Sequence, residues 1–275
     1  MGAVTLKVAD LEKMLTFYRD AVGLKLLAES KGSAVLGKAD QPALLLEHAP
    51  SLKHASPSEA GLFHSAFLFD SQAELAATVA SVASKYPGSF TGSADHLVSE
   101  AFYFDDPEGN GVELYFDRER SSWSWQHGQI QMDTLGLDPN QYLATHQVST
   151  QPVASTIGHV HLSVGNIEQA RDFYVEKLGF EVTLNWGGTA LFVSAGGYHH
   201  HMAMNIWRSR GAGVRQQSLG LGDVSIQLPE QQSLGLTLEK LQHHNIPLRD
   251  DGNKISLDDP WGNQVTLAVA SPESF

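Results

Sequence analysis

GAVTLKVADLEKMLTFYRDAVGL (residues 2–24) and GHVHLSVGNIEQARDFYVEKLGF (residues 158–180) align without a gap, and this match decides the fold. Each stretch begins as a strand, passes a helix N-terminus at Asp10 or Asn166, and runs into an amphipathic helix carrying Phe17-Tyr18 or Phe173-Tyr174. A glycine, Gly23 or Gly179, then stops each helix. A second pair recurs late in each half, DPEGNGVEL at 106–114 and DPWGNQVTL at 259–267. The chain is a tandem duplication.

Each half is itself double. After the first strand and helix come short strands near 25–27, 33–36 and 43–47, then a new strand over 63–69, a helix over 72–86, and strands ending at Tyr115. The unit is strand, helix and about three strands (βαβββ), used four times, which makes the fold class α+β. We place the two domains at 1–117 and 157–271. Residues 118–156 hold Trp123, Trp125, a DPNQY turn and the polar run ATHQVSTQPVAST, and read as a linker leaning on both halves.

Composition narrows the chemistry. The 275 residues, 42% hydrophobic and 18% charged, suffice for two domains with their own cores. No apolar run approaches the ~20 residues of a membrane span. The start, MGAVTLKVADLEK, reads as strand and helix rather than a signal peptide, so the cytoplasm is the expected address. The absence of cysteine excludes disulfides, thiolate metal sites and a cysteine nucleophile, leaving His and carboxylate for any metal. A net charge of −13 argues against nucleic acid or an anionic membrane as partner. Thirteen histidines stand out against this background.

The stretch HLVSEAFYFDDPEGNGVE, His96 to Glu113, concentrates the candidate chemistry. Gly109-Asn110-Gly111 supplies a turn needing positive φ. On either side the chain alternates, so Tyr103 and Glu113 lie on adjacent half-buried strands. Alone, such a hairpin is ordinary, and its glutamate is as readily an exposed strand residue as a ligand.

Four βαβββ modules, the Phe-Tyr pairs, and the HxxxxxFYxxDPxGxxxE run together resemble the vicinal oxygen chelate superfamily, and within it the extradiol ring-cleaving dioxygenases. The resemblance covers nearly the whole chain apart from the linker. It implies paired domains whose curved sheets form a cleft. Glyoxalases, fosfomycin-modifying transferases and bleomycin-binding proteins share that fold, so the fold alone does not give the reaction.

In the dioxygenases a divalent metal is held by a His on the first strand of one module, a His on the first strand of the next, and a Glu on that module's last strand. Two imidazoles and one carboxylate occupy one face of an octahedral ion and leave the other open. Neither half of this chain has the full set. The first offers His64 and Glu113 but Ala3 at the third position; the second offers His159 but Asp223 and Thr266. The missing parts are complementary. If the halves exchange modules, His64, Glu113 and His159 make one complete triad, and Ala3, Asp223 and Thr266 make one dead site.

The resemblance further implies Fe(II) at the triad, with Mn(II) acceptable to the same donors, and an aromatic small molecule plus O2 as reactants. His201 would stand beside the bound oxygen, while His96 and Tyr103 would bond the substrate oxygens and move a proton. The second half has Arg249 and Ser256 or close neighbours where the first has His96 and Tyr103, so every implied residue falls in one composite site. Some assignments have rivals: His161 shares a strand face with His159, and in the run His199-His200-His201 alternation puts His199 and His201 on one face opposite His200, with His201 favoured because it directly precedes the apolar strand and the other two competing with it. His64 could be a hydrogen-bonded core histidine, and Trp123, Trp125 and Trp207 could line the pocket or pack on the linker. A glyoxalase- or transferase-type metal enzyme and a metal-free binding protein are the competing functions, and a homo-oligomer is compatible with all three.

Overall fold

The repeated modules form two curved sheets, seen in a computed structural model that describes residues 1–269; the expected domain end at 271 lies outside the described residues. The eight-stranded sheet runs Leu248–Asp250, Lys254–Asp258, Gln264–Val269, Gly220–Leu228, Val4–Val8, Gln41–His48, Ser33–Lys38, Lys25–Ser30. The nine-stranded sheet runs Leu135–Gly136, Phe90–Asp95, Ser99–Asp105, Gly111–Asp117, Gly61–Phe69, Thr156–Ser163, Met202–Asn205, Ala190–Ser194, Glu181–Trp186. The first sheet therefore joins the first and fourth modules, and the second joins the second and third. The seams are antiparallel, Val4–Val8 on Gly220–Leu228 and Gly61–Phe69 on Thr156–Ser163.

Local chemistry explains the repeat. Asp10 accepts the amide of Lys13 at 3.0 Å, and Asn166 that of Gln169 at 3.0 Å, so each first helix starts at its cap. Both helices differ from the simple amphipathic helix expected: each widens into a π-helical turn, over Phe17–Ala21 and Asp172–Lys177. The extra residue per turn buries both members of each Phe-Tyr pair. Gly23 and Gly179 follow with φ of 91° and 95°, the left-handed conformation that glycine adopts most readily.

The segment read as a linker is partly folded. Helix Pro139–His146 is capped by Asp138, and its Tyr142 packs edge-on against Phe102 with ring centroids 4.9 Å apart. Strands Trp125–Gln126 and Gln129–Ile130 pair as a hairpin, and Leu135–Gly136 extends the larger sheet. Trp123 is buried against Tyr198, whereas Trp125 is exposed. Polar composition concealed these elements because they are short and are held by the modules they cover. Among the described residues no helix is long and apolar enough to cross a membrane.

Candidate metal centre

Glu113, Ala66 and His159 lie in one row across three adjacent strands, since Ala66 pairs with Glu113 on one side and His159 on the other. Paired residues in a sheet share a face. The small Ala66 leaves room between its larger neighbours, and His64, two residues earlier on the same face, fills it. His159 Nε2 lies 3.1 Å and His64 Nε2 2.9 Å from Glu113 Oε2, and one ligand atom from each residue can be chosen so that all lie within 4.8 Å of one another. All three side chains are buried.

This donor set fits a divalent cation. Glu113 burial opposes ionisation, yet His159 and His64 together hold its carboxyl well below the usual range. Burial outweighs the pull of Glu113 on His159 and lowers its pKa, so the ring is favoured neutral, the form that ligates a metal. Buried His64 Nε2, although 2.9 Å from Glu113 Oε2, is not aligned for a hydrogen bond to it and has no other partner. Two imidazoles converging on one buried carboxylate oxygen are poorly satisfied by each other and well satisfied by a cation.

His161 pairs with His64 across the strands, but Asn205 Nδ2 donates to its Nε2 at 3.0 Å. Its ring packs between Phe63 and Trp207, and burial pushes its pKa well down. It is a neutral piece of wall next to the triad.

Tyr103 pairs directly with Glu113 on the adjacent strand. His96 Nδ1 donates to the Asp133 carbonyl at 2.7 Å, which leaves Nε2 to accept the Tyr103 hydroxyl at 2.7 Å. Asp133 belongs to the segment between the halves, so that segment sets the tautomer of His96. Burial and the Glu113 charge raise the Tyr103 pKa well above its ordinary value.

In the triple-histidine run the geometry differs from the alternation expected. Strand Met202–Asn205 begins only after it, and the preceding Gly196-Gly197 turn breaks the period of two. His201 Nδ1 accepts the Ala195 amide at 3.3 Å, and its ring lies against Tyr198, outside the cavity wall. His200 lines the cavity in its place, its ring centroid 4.1 Å from that of His159.

The triad, His96, Tyr103 and His200 open on one cavity of about 700 Å³. Gly111 helps shape it: a Cβ there would stand 2.1 Å from the Phe63 carbonyl oxygen, so only glycine lets these strands approach. In the opposite sheet Ser225 bonds Ala3 and pairs with Thr266, the row equivalent to His159–Ala66–Glu113. Thr266 there donates to Asp223 at 2.7 Å. Among the described residues, the His64–Glu113–His159 cluster is the group of three donors close enough to share an ion. Sequence reasoning missed Asn205, Asp117 and Asp133, whose partners lie far along the chain and leave no local signal.

The model of the Glyoxalase/Bleomycin resistance protein/Dioxygenase superfamily matches residues 1–114 and 156–267. A catechol-2,3-dioxygenase of Bacillus subtilis (strain 168) is 35% identical over 278 residues, covering 98% of this chain and 97% of that protein. Among solved structures, a Bacillus subtilis protein superposes with a TM-score of 0.67 at 15% identity, covering 99% of this chain and 86% of the other. Glyoxalase I from Zea mays gives a TM-score of 0.62 at 17% identity, covering 98% and 92%. These two structures speak to the fold alone.

Proposed function

Because this chain belongs to the glyoxalase/bleomycin resistance protein/dioxygenase superfamily, we propose that it is a non-haem Fe(II) extradiol dioxygenase that opens catechol or a substituted catechol beside its hydroxyls. The observation that carries the reading is the His96–Tyr103 pair in the same cavity as the His64–Glu113–His159 triad. The whole-chain similarity to a protein named catechol-2,3-dioxygenase supports it.

His64, His159 and Glu113 would hold the ion, which when bound gathers the two catechol oxygens and dioxygen at one centre; Mn(II) suits the same donors. The protein's own part is proton handling and shape. Tyr103 gives its hydrogen to His96, so its oxygen is free to accept a bond from a substrate hydroxyl. His96 can take the tyrosine proton as the tyrosine receives the substrate's, and the Asp133 carbonyl keeps its ring in the required tautomer. His200 takes the place expected for His201, close to the triad. His161, Phe63 and Trp207 form an uncharged wall for the ring.

The test is anaerobic loading with Fe(II), then catechol in aerated buffer, following oxygen uptake and the yellow ring-opened product, with Glu113→Ala alongside. Yellow product lost in the variant establishes the activity. If iron binds and catechols stay intact, a glyoxalase- or transferase-type Lewis-acid reaction at the same triad takes first place. Failure to bind any divalent metal would leave a small-molecule-binding role.

A further inference from the structure

Asp117, His199 and His200 form a hydrogen-bonded line that leads away from the cavity. His199 Nε2 lies 2.8 Å from Asp117 Oδ1, and His199 Nδ1 lies 2.7 Å from His200 Nδ1. His199 is fully buried and His200 is 5% exposed, so water does not compete for the bond between them; the Asp117 side chain, 20% exposed, forms the outer end of the line. The other Asp117 oxygen accepts the Tyr198 hydroxyl at 2.7 Å, and Tyr198 is bonded in turn to Tyr115 at 2.8 Å. Asp117 ends the strand that carries Glu113, while both histidines come from the third module.

With His199 neutral, the hydrogen bonds leave one arrangement of protons. A carboxylate has no hydrogen to give, so His199 Nε2 carries the hydrogen in the bond to Asp117. A neutral His199 then has a bare Nδ1, which can only accept, so His200 must carry its hydrogen on Nδ1. That leaves His200 Nε2 as a lone pair on the side of the ring not taken by His199.

We infer that Asp117 and His199 are positioning residues for His200, fixing its ring and its tautomer so that an unprotonated Nε2 serves the cavity. The inference rests on the dioxygenase reading for its purpose, but its geometry does not. The line also provides a place for charge. When a substrate O–H breaks and an N–H forms at His200 Nε2, His200 releases its Nδ1 hydrogen to His199 Nδ1. The positive charge then stands on His199 against Asp117, with its ring centroid 6.0 Å from that of His159 where His200 is at 4.1 Å, and the substrate oxygen keeps the negative charge. Reversal of the same two transfers returns the proton to the ring-opening product.

Two measurements test this. In Zn(II)-loaded protein, which is diamagnetic, nitrogen NMR of labelled histidine should show His200 with a protonated Nδ1 and a bare Nε2, and Asp117→Asn should disturb that assignment. A protonated Nε2 on His200 in the unsubstituted protein would overturn the inference, whatever reaction the enzyme performs. In the Fe(II) enzyme, His199→Asn should lower kcat about 10- to 100-fold with KM and iron content held, the scale seen for residues behind a ligand or base. In a His200→Asn background the same change should alter kcat less than about twofold, because its effect runs through His200. Equal losses in both backgrounds would mark His199 as structural only and sink the proposal. Absence of ring opening by the unsubstituted enzyme would instead refute the dioxygenase reading and leave the NMR result to decide the positioning.

Discussion

Tyr18 donates its phenolic hydrogen to Asp106 across 2.8 Å, fully buried and 88 residues away in the chain. Tyr174 and Asp259 repeat the bond at 3.0 Å. The tyrosine of each Phe-Tyr pair thus ties its module to the DPxGN turn of the following one. Because those two modules lie in different sheets, the bond clamps the sheets together and holds the turn that precedes Glu113.

Removing one clamp should destabilise without unfolding. Asp106 keeps its bonds from Glu108 and Asn110, so Tyr18→Phe loses one charge-assisted bond, worth about 1.5–3 kcal/mol. Tyr174→Phe should cost a similar amount by urea denaturation. A loss below about 0.5 kcal/mol for both would show that the bonds only decorate packing already made.

Asp106 should also make stability depend on pH. Burial, partly offset by its hydrogen bonds, raises its pKa from 3.8 to about 6. The folded state therefore holds the proton more tightly than the unfolded chain, so the stabilisation is present below about pH 4 and is lost as pH rises through about 6. The difference corresponds to about 3 kcal/mol. Unfolding free energies measured from about pH 4 to 6.5 should fall for the wild type relative to Asp106→Asn, which cannot titrate. A parallel pair of curves would refute the shift.

Metal stoichiometry should be one ion per chain. His159→Ala and Glu113→Ala should abolish binding, measured by elemental analysis after anaerobic loading, because each removes a ligand from a set of three. His161→Ala, Asp223→Ala and Thr266→Ala should retain it. Two ions per chain, or loss in the Thr266 variant, would contradict the dead second concavity.

Substitution at the hydrogen-bonded pair should separate binding from turnover. Tyr103→Phe and His96→Gln keep the triad, so iron content should stay at wild-type level while kcat falls about 10²- to 10⁴-fold, the range for a lost proton-transfer group. The double variant should cost little more than either single one, since the two side chains act as one unit. Independent, additive losses would argue that they do separate jobs.

Periodicity and the internal repeat made the modules legible, and the complementary gaps at Ala3, Asp223 and Thr266 pointed to the exchange of modules seen in the sheet seams. Strand alternation set Tyr103 and Glu113 on adjacent strands, and the sheet register makes them direct partners. The triple-histidine run did not follow it, because alternation holds only inside a strand and these residues precede one. The π-helical turns left no composition signal, as they change the hydrogen-bond register rather than the hydrophobic pattern. The elements between the halves were hidden for another reason: two-residue strands are ordered by what they pair with.

Each sheet draws one module from either half, which gives the duplication a freedom that two separate copies would lack. In a symmetric pair of identical half-chains, every substitution appears in both clefts, so a cleft cannot lose its histidine unless its twin does too. Covalent fusion removes that coupling. Threonine at 266 and glutamate at 113 can then coexist, one cleft keeping its three clustered donors while the other is free to serve only as scaffold.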